Sequence, residues 1–557
     1  MNPTLSQFSA STYRVFLSDL HGQGDVFDYL LQEKFGVVEK LVVDASSGCN
    51  ALESLYRHYL IPGNTVAGTV YGEMAHVSQM LKLLLGFKSQ RRFWPVCVEV
   101  FSSCSWILAI IEQCALRGEV VEGDLESILL LDVQDRDSLC QLVGKAVHCL
   151  LTYRLYIVGD IYDRGANAPE IMDKLEKMSS VSIQWGNHDV LWMGAASGSL
   201  ECIATVVRLC IRYGHIDTLT KDYEIALDSL KQLSVNCYSD DPCENFIPFD
   251  KNESWSAQTL AAMHKAISII QFKLEQQIIR RNANFSMGER LVLDRLDIDA
   301  GEMEVNGERV ELTDTKFPTL NRESPSSLTE DEWGVIEDLK SQFVGSTRLQ
   351  RHVHFLFSNG SLIETDENYV MFHGCVPVDE EGNFMSLSMA GRELSGSALF
   401  DALELQLRKA HSRRNASSCK YLSDVAWYLW CGPRSPLFGK QQMTTFERYF
   451  ISDDKYHHEG KNSYFTARND TSFVQRVSVE MGGEKDSIVV NGHVPVKLAS
   501  GESPRHAEGQ LLCIDGGFSK AYRSRTGAAG MVLIANNENH QLFSVEEINS
   551  SFQLFEI

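Results

Sequence analysis

The sequence predicts an α/β fold that collects its polar functional residues where strands end, and three observations lead there. Five short motifs rich in carboxylates, imidazoles and an amide are spread over most of the chain. They are SDLHG (Ser18 to Gly22), GDIYDRG (Gly159 to Gly165), GNHD (Gly186 to Asp189), FHG (Phe372 to Gly374) and NGHVP (Asn491 to Pro495). Each directly follows a short apolar, β-prone run: Val15-Phe16-Leu17, Leu155-Tyr156-Ile157-Val158, Val181-Ser182-Ile183, Val370-Met371 and Ile488-Val489-Val490. Long stretches of helical periodicity separate them. An α/β sheet gathers residues remote in sequence into one pocket by placing them just beyond its strand ends.

The elements follow in order. Gly24 to Leu31 opens a helix after the first motif. From about Leu52 to Leu151 the apolar pattern is mostly helical, with Met74 to Phe87, Cys97 to Leu116 and Leu125 to Leu150 read as helices. A helical Pro169 to Met178 lies between the second and third motifs, which makes a βαβ unit. About Leu191 to Arg280 is again dominated by helix formers. Its clearest element is Ser256 to Arg281, with Leu260, His264, Ile267, Ile270, Leu274 and Ile278 near one face. A β-like patch spans Leu291 to Leu312 and contains the hairpin signal Asn306-Gly307. Thr313 to Thr329 is polar and proline-bearing, a loop. From Asn368 to Ile557 the pattern returns to strands, with Asp515-Gly516-Gly517-Phe518 and the last alternating runs as a closing sheet. The expected organisation is a split core of residues 1–50, 151–190 and 366–557. It is interrupted by a helical insertion at 51–150 and by a second, carrying the β patch, at 191–365. Connections this long are rarely idle, so the insertions are expected to form a lid that shapes a substrate pocket.

Composition bounds the partners. A chain of 557 residues can bury a large core and should form more than one structural unit. No charge-free apolar stretch approaches the ~20 residues of a membrane span, so no membrane segment is expected. Met1 to Ser11 has no basic segment leading into an apolar one, so a secretory signal is not expected either, and the expectation is cytoplasmic. Of 14 cysteines none forms a CxxC pair, and Cys97, Cys149, Cys202 and Cys210 lie among apolar residues. They read as reduced, buried thiols rather than a zinc ribbon or disulfide framework. The formal charge of −23, from 51 basic against 74 acidic residues, argues against a general nucleic-acid or anionic-membrane binder. It does not argue against a phosphorylated small molecule, because bound divalent ions would reverse the local field. Oligomeric state is left open: a homo-oligomer is compatible with the sequence, which does not specify one.

The motif residues suit a two-metal phosphoesterase. Two divalent ions roughly 3.5–4 Å apart need a bridging carboxylate, several oxygen or imidazole ligands and open positions for solvent and substrate. Asp160, first in GDIYDRG and directly after a strand, is the expected bridge. Asp19 and His21, two apart in an extended segment, can point the same way and complete one ion with it. Asn187, His373 and His493 would complete the other, the neutral amide leaving the ions strongly electrophilic. Water shared by two such ions has its pKa lowered from about 15.7 towards about 7, which supplies hydroxide for in-line attack on phosphorus. Arg164 offers a planar fork matched to phosphate oxygens. His188, next to Asn187, is placed to protonate the leaving alcohol, and Asp163 to orient that imidazole and keep it charged.

Each motif alone has an ordinary alternative. A lone DxH is usually a solvated loop, Asn-His-Asp makes good turns, and buried histidines with hydrogen-bond partners are common. GDxxDRG is the specific one, fixing two carboxylates and an arginine after a strand. Five such motifs in this order, each at a strand end, are not accounted for by independent accidents.

The five motifs resemble those of the calcineurin-like metallophosphoesterases, and GDIYDRG is similar to the form found in serine/threonine protein phosphatases. Longer strings carry the resemblance further. YIVGDIYDR (Tyr156 to Arg164), IQWGNHDVLWMGAASGS (Ile183 to Ser199), AWYLWCGPRSPLFGKQQMTTFERYF (Ala426 to Phe450) and IDGGFSKAY (Ile514 to Tyr522) look like class III fructose-1,6-bisphosphatase, a bacterial gluconeogenic family, over about Tyr13 to Gly530. The resemblance implies a metallophosphoesterase-type β-sandwich core flanked by helices. It also implies hydrolysis of fructose 1,6-bisphosphate to fructose 6-phosphate and phosphate, with two Mn²⁺ ions. By motif position it carries over Asp19, His21, Asp160, Asn187, His373 and His493 as metal ligands, and Asp163, Arg164 and His188 as catalytic or phosphate-holding residues. Protein phosphatases have Glu where Asp189 stands here, and their inserts are much shorter. Both departures weigh against a protein substrate.

A second phosphate requires cations outside the metal core. Candidates are Lys440, Arg448, Lys461, Lys520 and Arg523, near the FGK, FERYF and FSKAY strings, each with a surface salt bridge as its ordinary alternative. Trp185, Trp192, Trp427 and Trp430 are expected in the core. Two competing functions remain: another phosphoesterase on the same core, such as a protein or dinucleoside polyphosphate phosphatase, and a non-catalytic metal-stabilised binding protein. Arg164 and His188 speak against the latter, since neither is needed merely to hold metal.

Overall fold

The computed structural model describes residues 13–31, 105–117, 153–178, 180–252, 254–412, 420–519, 526–535, 539–548 and 551–557, with isolated positions at 81–82, 84–85, 97–98, 100–101, 120, 142–143, 146 and 523. The helices expected at Met74 to Phe87 and Leu125 to Leu150 fall largely outside the described residues, as does Lys520.

The described residues open with β1 (Tyr13–Leu17) and α1 (Gly24–Leu30), and α2 (Ser105–Arg117) follows further along the chain. The expected βαβ unit follows as β2 (Tyr153–Val158), α3 (Ala168–Leu175) and β3 (Val181–Gln184), and a helical layer follows as α4 (Asn187–Ala196), α5 (Leu200–Arg212), α6 (Asp228–Tyr238) and α7 (Ala257–Arg281). Next come β4 (Leu296–Asp297), β5 (Glu302–Val305), β6 (Glu308–Glu311), α8 (Glu330–Gly345), α9 (Thr347–Asn359), β7 (Gly360–Ser361), β8 (Ile363–Asp366) and β9 (Tyr369–Phe372). The remainder is β10 (Leu387–Met389), β11 (Arg392–Leu394), α10 (Gly396–Ser412), α11 (Lys420–Cys431), α12 (Thr445–Phe450), α13 (Tyr464–Ala467), α14 (Thr471–Glu480), β12 (Ile488–Asn491), β13 (Arg505–His506), β14 (Leu511–Cys513), β15 (Gly530–Ala535), β16 (His540–Ile548) and β17 (Ser551–Glu556).

Two sheets build the core. One runs β17-β16-β15-β1-β2-β3-β7, with β1, β2, β3 and β7 parallel and β15 to β17 antiparallel. The other runs β13-β14-β12-β9-β8, with β9, β12 and β14 parallel. Strand side chains alternate between faces, and here the two faces meet different partners. Val15, Leu17, Leu155 and Ile157 join the cluster that contains Val26, Phe27 and Leu30 of α1 and Ile171, Met172 and Leu175 of α3. Phe16, Tyr156 and Val158 point the other way, into a separate apolar cluster with Tyr369, Met371, Val490, Leu512 and Met531. Phe16 stacks on Tyr156 at 4.9 Å between centroids and meets Tyr369 of the other sheet at 5.2 Å. Burying a side chain of this size contributes roughly 1.5–3 kcal/mol, so this cluster ties the two sheets together. Because β1, β2 and β3 are parallel, and β9 and β12 are parallel, each sheet delivers its motifs at one edge.

The hairpin signal is realised: Asn306 (φ 53°) and Gly307 (φ 81°) join β5 to β6 in the doubly left-handed turn this dipeptide favours. Ser256 caps α7, its side chain accepting from the Thr259 N–H. This helix is less one-sided than its sequence implies, because Lys265 and Lys273 are also buried, Lys273 against Glu332 at 2.7 Å. The expectation of strands after Asn368 needs correction. Helices α10 to α14 lie between β11 and β12, and Leu399, Leu403 and Leu407 recur at the four-residue spacing of a buried helical face.

Candidate active site

The site starts from backbone that few residues tolerate. Asp19 (φ 54°), His21 (φ 47°), Asp160 (φ 46°) and His493 (φ 70°) all adopt left-handed conformations. Such positions cost of order 1–3 kcal/mol each and persist only where surroundings impose them. Here main-chain bonds impose them: the N–H groups of Asp19, His21 and Gly22 donate to the carbonyls of Gly159, Asp160 and Ile161 at 3.0, 2.8 and 2.8 Å. The first two motif loops are thereby zipped together. Asp189 binds the second to the third, accepting from the N–H groups of Ile161 (2.9 Å), Tyr162 (3.2 Å) and Gly186 (2.9 Å). The His188 N–H donates to Asp160 Oδ1 at 2.9 Å, and the His493 N–H to the Asp19 carboxylate at 3.0 and 3.2 Å.

Side chains then converge. His373 Nε2 lies 3.2 Å from Asn187 Oδ1, 3.4 Å from Asp160 Oδ2 and 3.2 Å from His493 Nδ1. The opposite nitrogens face carbonyl oxygens, His373 Nδ1 at Val158 O (3.2 Å) and His493 Nε2 at Phe438 O (2.8 Å). A carbonyl only accepts, so those nitrogens carry protons, and the inward ones are left to present lone pairs to a metal once His373 has released its second proton. Two lone pairs 3.2 Å apart repel unless a cation or a proton sits between them. This donor set, carboxylate, amide and two oriented imidazoles, therefore fits a divalent cation. Asp19 and His21 stand beside it, His21 Nε2 3.9 Å from Asp19 Oδ1. Among the described residues Asp160, His373 and His493 form the tight three-residue cluster of ligand atoms, and Asp19 and His21 lie outside its radius. Backbone glycines make the space. A Cβ on Gly186 would lie 2.0 Å from Asp160 Oδ1, and one on Gly492 would lie 2.1 Å from Asp19 Oδ2. A second cluster, Asp173, Glu176 and His352, is already neutralised by Arg348 and Arg351.

The electrostatics follow from burial and crowding. Desolvation opposes charge on His373, but the Asp160 and Asp19 carboxylates outweigh it and raise its pKa to about 10. Desolvation, then the charge of His373, pushes His493 down to about 3. Although burial opposes it, His373 and His188 hold Asp160 well below the usual carboxylate range. Burial, and then Asp515, raises Asp19 well above that range. Asp163 is raised to about 7 by burial, against the pull of Arg164. One carboxylate thus faces three partners: Arg164 Nε at 3.1 Å, His188 Nδ1 at 3.1 Å and His21 Nδ1 at 3.3 Å. All three are ion-pair contacts that lie off the angle of a hydrogen bond. The expectation that Asp163 keeps His188 charged is not met here, because burial lowers that imidazole well below its ordinary value.

The cations named from sequence lie in different settings. Lys440 pairs with Glu459 at 2.7 Å, and its backbone bridges that of Lys461. Arg448 donates to Thr444 Oγ1 and to the His457 carbonyl. Arg523 pairs with Glu547 at 2.5 Å.

Sequence reasoning missed the neighbours. Trp430, expected in the core, is buried but meets the His188 ring edge-on at 4.7 Å between centroids, with its own N–H lacking a hydrogen-bond partner among the described residues. Asp515 is fully buried, accepts from the Gly517 N–H and adds its charge beside Asp19. Ser18 donates its hydroxyl to Asp19. The usable signals were proximity to a recognised string for Trp430 and the post-strand position for Asp515.

Comparisons with known proteins extend this geometry. A family model described as firmicute fructose-1,6-bisphosphatase matches residues 122–556. A class 3 fructose-1,6-bisphosphatase from Saccharophagus degradans is 40% identical over 543 residues, covering 94% of this chain and 93% of that protein. Class 3 fructose-1,6-bisphosphatases from Clostridium acetobutylicum and Clostridium tetani are 37% and 38% identical, covering 95% and 97% of this chain and 83% and 84% of theirs. No solved structure matches.

Proposed function

The chain belongs to the class 3 fructose-1,6-bisphosphatases, and from that premise we propose that it hydrolyses fructose 1,6-bisphosphate to fructose 6-phosphate and phosphate at the site built on Asp160. The observation that carries this reading is the meeting of Asp160, Asn187, His373 and His493 around one point, in a chain matched along 94% of its length. The two sheets then correspond to a metallophosphoesterase-type sandwich, and the insertion at 191–365 to its lid, while most of the other expected insertion, 51–150, lies outside the described residues.

Asp19, His21 and Asp160 would hold one divalent ion, and Asp160, Asn187, His373 and His493 the other. Mn²⁺ is the species that the family resemblance implies. Such ions supply electrophilic charge for phosphoryl oxygens and lower the pKa of water towards neutrality. The chain's own groups do the rest. Arg164, with a quarter of its side chain exposed, presents its guanidinium at the mouth and orients the phosphate by paired N–H donors. Asp163 steadies that guanidinium and the His188 ring together. His188 delivers a proton to the departing sugar oxygen, and an incoming phosphate dianion raises its low proton affinity towards that task. Trp430 covers the ring and excludes water from it.

The test is phosphate release from fructose 1,6-bisphosphate by the Mn²⁺-loaded protein, beside a phosphopeptide and a dinucleoside polyphosphate. Preference for the sugar bisphosphate is expected. Faster turnover of either competitor would overturn the assignment.

A further inference from the structure

One buried cation near the site makes no ion pair among the described residues. Arg468, immediately after α13, is 4% exposed, and its Nε and Nη1 are buried with no hydrogen-bond partner among the described residues. A guanidinium keeps its charge at any physiological pH, and a buried unpaired charge is costly. The arrangement is explained if an anion completes it. Arg468 Cζ lies 5.4 Å from the centroid of the Phe465 ring, and Lys461 Nζ lies 5.8 Å from the same centroid. Phe465 thus brings two cations to one aromatic ring. Lys461 has no ion pair among the described residues. Desolvation, and then the like charges of Arg468, Lys497 and Lys440 against Glu502, hold its ammonium below its ordinary value. Four cations gather here against two carboxylates, Glu502 and the Glu459 that pairs with Lys440.

Two links tie this group to the metal-ligand cluster. Phe438, whose carbonyl fixes His493, is two residues before Lys440, and the Gly439 carbonyl between them accepts from the Asn462 N–H at 3.0 Å. Asn491, in the same motif as His493, donates to the Tyr464 hydroxyl at 3.0 Å, and the Arg468 N–H donates to the Tyr464 carbonyl at 2.8 Å. Lys497 follows His493 by four residues. The cations therefore flank the side of the site that His493 closes, whereas Arg164 stands with Asp163 and His188.

We propose that Arg468 and Lys461, with Lys440 and Lys497 at the rim, form the subsite for the phosphate of the sugar bisphosphate that is not hydrolysed. This rests on the bisphosphatase reading above. A dianionic monoester has oxygens for the guanidinium and for more than one ammonium, and it supplies the charge that buried Arg468 lacks. The subsite would make the enzyme selective for bisphosphates over simple monoesters.

Steady-state kinetics of the Mn²⁺-loaded protein decide it, using fructose 1,6-bisphosphate and 4-nitrophenyl phosphate with Lys461→Gln and Arg468→Gln. A lost charged contact of about 1.5–3 kcal/mol raises KM for the bisphosphate by about 10- to 150-fold, and the loss on the simple monoester is expected to be at least ~10-fold smaller. Lys461 is exposed, so its variant keeps the fold and decides the matter even if Arg468→Gln proves unstable. An unaltered bisphosphate KM in Lys461→Gln, or equal losses on both substrates, overturns the subsite while leaving the bisphosphatase reading intact. A wild-type protein that cleaves the monoester but not the bisphosphate overturns both.

Discussion

The main-chain N–H of His493 donates to both carboxylate oxygens of Asp19, at 3.2 and 3.0 Å, from 474 positions away along the chain. The loop after the first strand and the loop after β12 thus complete each other. Neither sheet alone carries the full set of motif residues.

Gly186 makes the sharpest steric prediction. Its φ of −86° suits any residue, so Gly186→Ala adds no backbone strain, but the new Cβ would sit 2.0 Å from Asp160 Oδ1. It would also lie 2.3 Å from the Asp160 main-chain nitrogen, so the loop that carries Asp160 must shift. Metal affinity measured by titration should fall by at least about 10- to 100-fold, the range for disturbing a ligand's support, with turnover falling in parallel. Wild-type affinity would show that Asp160 is not a ligand.

Metal binding should release protons. In the metal-free protein His373 is held at about 10, so near pH 8 it is protonated, and its Nε2 must give up that proton to become a ligand. Calorimetric titration with Mn²⁺ in buffers of different ionisation enthalpy should show at least one proton released per molecule. Affinity should therefore strengthen as pH rises below that value. A binding enthalpy independent of buffer would remove His373 from the ligand set.

Asp163 separates stability from catalysis. Burial raises its pKa to about 7 in the folded protein, while the unfolded chain releases the proton near 3.8. Between those values the folded state binds the extra proton, so this carboxylate lowers stability as pH rises from about 4 to about 7. Asp163→Asn should therefore gain stability over wild type across that window, by at most about 4 kcal/mol above it. Metal-free urea unfolding at pH 5 and pH 8 measures the difference. The same variant should lose about 10²- to 10⁴-fold in kcat, because His188 and Arg164 lose their common anchor.

The helical layer offers a test remote from the chemistry. Lys273 and Glu332 are both fully buried, 2.7 Å apart, and Lys273 also donates to the Thr319 carbonyl at 2.6 Å. Lys273→Met strands the carboxylate and should cost about 3–5 kcal/mol, seen as a lower denaturation midpoint. Lys273→Met with Glu332→Leu should recover part of the loss. No recovery would mean that the Glu332 link to the Thr329 N–H outweighs the charge pairing.

What could be read from the sequence was local. Each motif announced itself because a short apolar, β-prone run gives way to a loop of metal-ligand residue types, and Asn306-Gly307 and Ser256 signalled a turn and a cap by their own chemistry. The neighbours escaped because the sequence marks their positions but not what they will touch. Trp430 lies on α11 among other aromatics, and only folding sets its ring against His188. Arg468 is an isolated arginine until Phe465 and Lys461 gather round it. His188 was expected to be charged from its partner Asp163, but the degree of burial, a property of the packed whole, reversed the balance. Strands were over-assigned beyond Asn368 because the two late motifs drew attention from the four-residue spacing of Leu399, Leu403 and Leu407.

The left-handed backbone at Asp19, His21, Asp160 and His493 has a consequence for anyone reshaping this molecule. Glycine at His21 or His493 would relieve torsional tension while removing an imidazole of the site, whereas at Asp19 or Asp160 it would also strand the main-chain N–H of His493 or His188. A laboratory selection that rewards survival at high temperature alone would therefore guard the two aspartates better than the two histidines. Only a screen that scores turnover in the same round would hold these four positions in place.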